Sequence, residues 1–323
     1  MDTTIARPRR YTNRMRRASI LAFLLAVAPC VHAQSAAHPQ IAITFDDLPA
    51  HGPLPPGEVR RDVVHSILHT LKSEDLPPVY GFVNGFRIAQ YPYQIEILQE
   101  WRNAGELLGS HTWSHPALDT TSASKYIADI ARDEPLLKKV DPDGDWHWFR
   151  YPYLQEGNTL AKRLAVRRYL LDHHYQIAEV TLDFEDYMWN DSYARCMVKQ
   201  KAGVDEKIHL AYLEKSYLAT ADEFTDVFRQ LSQKLYGHDI PYVLLLHVGA
   251  FDAKMLPQLI ALFRSKGFTF ITLEQAQQDP AYSFDPNIGY PGGGTLEELV
   301  SQVKHVNFPD NTKPYKELDA ICR

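Results

Sequence analysis

Two short stretches carry the residue types that metal-assisted hydrolysis needs. Thr44-Phe45-Asp46-Asp47 closes one apolar run, and His111-Thr112-Trp113-Ser114-His115 closes another. Two histidine nitrogens and one carboxylate oxygen form a ligand set that zinc-like divalent ions take in hydrolytic sites, with one position left open. One aspartate of the pair then remains to act as general base. Each stretch alone has an ordinary explanation. Asp-Asp after a strand caps helices and turns, and this His-x-x-x-His lacks the glutamate of the zinc-protease motif. Together, at strand ends and in this order, they point to a hydrolase.

The elements that must position these residues alternate along the chain. Seven apolar, β-rich runs can be read at Ile41–Thr44, Val79–Val83, Leu107–Ser110, His147–Arg150, Ile177–Leu182, Tyr242–Leu246 and Thr269–Thr272. Helical periodicity separates them, as in Val59-Val63-Val64-Ile67-Leu68-Leu71 and Leu160-Leu164-Arg168-Leu171. Asp252 is placed to cap a helix through Leu256, Leu259, Ile260 and Phe263 that ends before Gly267. Ser192–Gly237 is long enough for two or three helices. Such alternation predicts an α/β fold, a parallel sheet covered by helices, open or closed into a barrel. In these folds chemistry collects at the carboxyl ends of the strands. The run ends carry Asp46/Asp47, His111/His115, Arg150, Asp183/Asp186 and His247, so one face receives all of them.

The chain has 323 residues and a formal net charge of −6. Six arginines precede an apolar stretch from Ile20 to Val31, and small residues follow around Ala33, the pattern of an export signal. The stretch is short for a membrane span. Cleavage after Ala33 removes six Arg and one Asp, a net +5, which takes −6 to −11 over the remaining 290 residues (323 less 33). That length suits one large domain, and the acidic balance disfavours nucleic acid and anionic membranes as partners. The two cysteines beyond the leader, Cys196 and Cys322, can pair in an oxidising compartment or stay as buried thiols. The segment 280–323 is rich in Pro, Gly and Asn and contains one expected helix, Thr295–Val303. It is read as an extension packed on a domain spanning 38–279.

The motifs resemble those of the polysaccharide deacetylase family (NodB homology domain, carbohydrate esterase family 4), in the family's order and over about Ile41 to Ala276. Thr44-Phe45-Asp46-Asp47 is similar to the first motif and His111-x-x-Ser114-His115 to the second. Arg150-Tyr151-Pro152-Tyr153 resembles the third, with Leu154 where many members have Gly. Asp183-Phe184-Glu185-Asp186-Tyr187 resembles the fourth, with Tyr187 at the usual Trp and Trp189 two residues on. Leu245-Leu246-His247 resembles the fifth, followed by Val248 where many members carry Asp. The resemblance implies a distorted (β/α)7 barrel. It also implies roles: Asp47, His111 and His115 as metal ligands, Asp46 as base, His247 as acid, Arg150 holding Asp46 and Asp186 orienting His247. The Tyr153 N–H would help bind the oxyanion, with Leu245 and Trp189 also on the substrate side. Zinc suits two His and one Asp, although cobalt, nickel and manganese occupy similar sites.

What the resemblance implies is an enzyme that removes N-acetyl groups from an acetylated glycan of the peptidoglycan or chitin kind, and the leader adds an exported location, periplasmic or secreted. An O-acetyl esterase on xylan or another acetylated polysaccharide uses the same residues, and an inactive metal- or glycan-binding relative keeps the fold. Retention of both Asp46 and His247 speaks against the inactive form. Among the remaining residues, Trp113, Tyr151, Tyr153, Tyr187 and Trp189 are candidates for a groove wall, and His51 for the mouth of the site. Trp146 and Trp148 are expected in the core.

Overall fold

The computed structural model describes Met1 and residues 38–308 and 314–323. The leader expected over residues 1–33 lies outside the described residues beyond Met1. Residues His38–Arg323 form one compact unit.

Its strands are β1 (Gln40–Leu48), β2 (Tyr80–Val83), β3 (Leu107–Ser110), β4 (Trp148–Phe149), β5 (Gln176–Ile177), β6 (Tyr242–His247) and β7 (Thr269–Phe270). The helices are α1 (Arg60–Ser73), α2 (Gly85–Gln90), α3 (Ile95–Asn103), α4 (Ala123–Val140), α5 (Leu160–Asp172) and α6 (Tyr187–Lys201). They continue with α7 (Lys207–Tyr236), α8 (Ala250–Ser265), α9 (Leu273–Ala276), α10 (Leu296–Lys304) and α11 (Tyr315–Ala320). All seven expected strands are present, and every pairing is parallel.

The sheet runs β5-β4-β3-β2-β1-β6 and curls until its ends meet. The segment after β5 closes the gap: Thr181 N and Leu182 N donate to Val243 O, and Leu245 N donates to Leu182 O. β7 sits off this path and pairs only with the start of β1. The barrel therefore has a six-membered run with the seventh strand beside it.

Strand alternation divides the core in two. On β1, Ile41, Ile43 and Phe45 join the large cluster under the helices. Ala42 instead joins a small cluster with Tyr80, Phe82, Trp148, Ala178, Val243, Leu273 and Ala276. Successive side chains of a strand point to opposite faces, so this second cluster fills the curled interior, and α9 contributes its Leu273 and Ala276. A continuously apolar strand such as β1 reads as it does because both faces are covered.

Two expectations need correction. Asp252 does not cap α8; Gly249 holds that position, and Asp252 lies buried in the first turn, accepting from Tyr217 Oη at 3.0 Å. The tail packs on the domain as expected but holds a second helix besides the expected one. It forms α10 and α11, and Leu296, Val300, Leu318 and Cys322 belong to the main core cluster. Cys322 forms a disulfide with Cys196 of α6. Ser192–Gly237 holds the remainder of α6 and all of α7. Among the described residues no helix is long and apolar enough to cross a membrane.

Candidate active site

The site begins with a break in β1. Opposite β2, Phe45 pairs with Gly81 and Leu48 with Val83, so β1 carries one more residue than its partner between these points. By alternation, Thr44 and Asp46 share the interior face of Ala42, and Asp47 would point outward. The bulge, with Asp47 at φ 65°, turns its carboxylate back to the side of Asp46. Two adjacent aspartates thus serve one cleft.

His111 follows β3 in a loop that is tightly held. Asn84 Nδ2 donates to His111 O at 2.7 Å and to Thr112 O at 3.1 Å. Ser114 anchors the far side of the loop, its N and Oγ both donating to the Asp129 carboxylate of α4 at 2.8 and 2.9 Å. Thr112 and His115 adopt φ values of 65° and 56°. With Asp47, Tyr153 (58°), Leu154 (51°) and Glu185 (59°), they form a cluster of left-handed non-glycine residues around the cleft. Conformations of this kind cost about 1–3 kcal/mol each and persist where the surroundings fix them, typically at functional sites.

Asp47 Oδ1 lies 3.6 Å from His115 Nε2 and 3.8 Å from His111 Nε2. One ligand atom from each of the three residues falls within 4.8 Å of the others. Donors around a tetrahedral zinc stand roughly 3.3–3.5 Å apart, from bonds of about 2.0–2.2 Å, so this set fits such an ion. His111 Nδ1 faces Arg150 O at 2.8 Å, which leaves Nε2 toward the cleft. Protonation states agree with ligation. Burial and the neighbouring His111 lower the His115 pKa to about 3, so its imidazole is neutral. Burial alone would raise the Asp47 pKa, but the bond from His51 and the surrounding histidines bring it well below the usual carboxylate value.

Asp46 and His247 occupy paired positions on β1 and β6. Asp46 is held by the buried Arg150, whose Nη1 donates to Asp46 Oδ1 at 3.2 Å. The same guanidinium donates to Thr44 Oγ1 at 3.0 Å and to Ala178 O at 2.7 Å, and it lies over the Phe82 ring. Asp186, fully buried, accepts from both the His247 backbone N and its Nδ1, at 2.6 and 2.7 Å. Burial would lower the His247 pKa; the Asp186 carboxylate overrides it and raises the value to about 10. This histidine can therefore carry a proton at neutral pH with Nε2 free to deliver it.

Asp46, Asp47, His111, His115 and His247 line a cleft of about 380 Å³ together with Tyr153, Leu154, Gln155, Asp183, Tyr187 and Leu245. Trp189, expected on the substrate side, is not there. It is buried against Phe184 and Tyr217, with Nε1 donating to Ser216 Oγ at 2.8 Å. It lies in the first turn of α6, where the helical rotation directs it into the core while Tyr187 faces the cleft, 5.3 Å from the His247 ring. Tyr151 is likewise buried, as are Trp146 and Trp148. His51 does line the cleft, its Nδ1 2.5 Å from Asp47 Oδ2.

Gly292, Gly293 and Gly294 of the tail are also part of the wall, a contribution missed in the sequence. A Cβ on Gly293 would stand 2.2 Å from Tyr153 O, so only glycine allows the tail to lie against this turn. The triple glycine was the available signal; its target was not visible.

A curled parallel sheet with an Asp- and His-lined cleft at its strand ends defines the class of protein. Residues 33–169 match the family model described as polysaccharide deacetylase. Chitin deacetylase of Colletotrichum lindemuthianum is 23% identical over 241 residues, covering 74% of this chain and 79% of that protein. Its solved structure superposes with a TM-score of 0.50 at 23% identity, covering 75% of this chain and 88% of the other. Peptidoglycan-N-acetylglucosamine deacetylase of Bacillus cereus is 24% identical over 148 residues, 46% of each protein. A variant of a Bacillus anthracis CE4 family pseudoenzyme, with restored enzymatic activity, superposes with a TM-score of 0.51 at 15% identity, over 74% of this chain and 68% of that one.

Proposed function

We propose that this protein is an exported, metal-dependent deacetylase that removes N-acetyl groups from an amino-sugar polysaccharide or oligosaccharide of the chitin or peptidoglycan kind. The observation that carries the reading is the pairing of a carboxylate base, Asp46 with Arg150, and a protonated acid, His247 with Asp186, around one Asp-His-His ligand set. The relatives named above as chitin and peptidoglycan deacetylases support the substrate class.

An amide has a poor electrophile and a poor leaving group, so its hydrolysis needs carbonyl polarisation, an activated water and protonation of nitrogen. Asp47, His111 and His115 would hold a divalent ion, zinc by donor chemistry, which would supply Lewis-acid polarisation and a more acidic water. Asp46 takes the proton of the attacking water, and Arg150 holds its carboxylate in place. The Tyr153 N–H, presented by a left-handed turn, donates to the developing oxyanion. Leu245 gives the acetyl methyl an apolar wall. His247 passes its Nε2 proton to the departing amine nitrogen, and Asp186 stabilises the imidazolium that exists before transfer.

Acetate release by the zinc-loaded protein from chitooligosaccharides, peptidoglycan and acetylated xylan tests this directly. Release from the amino-sugar substrates is expected. Asp46→Asn should retain the metal and lose turnover by about 10²–10⁴-fold. Release from xylan alone would move the protein to the O-acetyl esterases, and loss of metal in Asp46→Asn would exchange the roles of the two aspartates. Intact mass of the exported protein, with cleavage expected after Ala33, tests the leader.

A further inference from the structure

Asp47 has two oxygens, and each faces a different set of histidines. Oδ1 faces His111 and His115, whereas Oδ2 lies 2.5 Å from His51 Nδ1. Asp47, His51 and His247 offer ligand atoms within 4.8 Å of one another, a second group with the composition of the first, in which an ion would take the place of the present His51–Asp47 hydrogen bond. The His51 and His247 rings stand 4.7 Å apart. His51 is fixed in place, because its backbone N donates to Val248 O at 2.7 Å. His247 has Nδ1 tied to the buried Asp186 carboxylate, the outer contact that metal-ligating histidines commonly make. Its Nε2 is the nitrogen left to ligate.

We propose that Asp47, His51 and His247 form a second, inhibitory site for a zinc-like divalent cation, with the Asp47 carboxylate bridging it to the first. Carboxylates that bridge ions about 3.5–4 Å apart are common in two-metal hydrolases. Here the consequence is the reverse of activation. An ion on His247 Nε2 occupies the lone pair that must hold the proton for the leaving amine, so filling the second site removes the acid while the first site stays loaded. The binding part stands on geometry; the inhibitory part rests on the function proposed above.

Zinc titration of the metal-free full-length mature protein, read by calorimetry and by metal content after gel filtration, tests the site without reference to turnover. The wild type is expected to bind two equivalents, the second more weakly, and His51→Gln only one. Acetate release should rise to one equivalent and fall about tenfold or more as the second binds. In His51→Gln it should plateau at one equivalent and show no inhibition. A single equivalent in the wild type, or two in both His51→Gln and His51→Ala, overturns the site. Two equivalents with no acetate release at any loading would leave the site standing and overturn the deacetylase reading instead.

Discussion

Asp46 and Asp47 are neighbours in sequence with different surroundings, and the tasks proposed for them follow from what each touches. Asp46 meets a buried guanidinium and Asp47 meets three histidines. The same contrast separates the histidines. His115 is neutral because burial and the adjacent His111 oppose a charge, and His247 is charged because Asp186 outweighs burial. A pH prediction follows at this scale. The folded His247 pKa of about 10 lies above its ordinary value of 6.5. Its stabilising contribution is therefore complete below about pH 6.5 and is lost as pH rises through about 10. Activity that needs His247 protonated should persist to the same upper limit. In Asp186→Asn the carboxylate is gone, burial dominates, and the alkaline limb should move down by more than one pH unit, with metal content unchanged. A pH–kcat profile of the two proteins measures it; an unmoved limb would assign the acid to another group.

Elements contribute in ways their propensities do not reveal. The third-motif turn at Tyr153-Leu154 holds two consecutive left-handed residues, and the tail's glycine run lies along it. Gly294 N donates to Leu154 O at 3.3 Å, Tyr290 N to Gly157 O at 3.0 Å, and Gly292 N to Asp119 Oδ2 at 2.7 Å. Gly293 itself sits at φ 76°. Gly293→Ala places a methyl against Tyr153 O and should lift the tail from the turn. Deacetylation should slow by about tenfold or more, short of the 10²–10³-fold lost with an oxyanion donor outright, while zinc binding is unchanged. Steady-state kinetics with metal analysis decides between this and a tail that merely packs.

At the scale of the whole molecule, the tail is part of the folded body. Leu296, Leu299, Val300 and Leu318 are each at most 2% exposed. Burial of such side chains contributes about 1.5–3 kcal/mol apiece, a sum comparable with the net stability of a whole domain, about 5–15 kcal/mol. Truncation after Asp279 should yield protein without a cooperative thermal transition, and Cys196 would be left unpaired. A truncated protein that melts as the full chain does would return the segment to the status of an appendage. The Cys196–Cys322 disulfide ties the last turn of the chain to α6 across 126 residues.

The sequence by itself determined the strand–helix alternation, the seven strands and the gathering of Asp46, Asp47, His111, His115, Arg150, Asp186 and His247 at one end of the sheet. It could do so because hydrophobic periodicity is local, and parallel topology then places every strand end on one face. Tertiary structure alone decided the rest. Trp189 went to the core and Tyr187 to the cleft, because the helical rotation of α6 and the packing of Phe184 and Tyr217 choose the face. His51 came to Asp47, and Gly293 to Tyr153, through contacts between segments far apart in the chain or around a bulge. No local pattern encodes such meetings: they depend on how the sheet curls, and its curl is set by the packing of all the elements together.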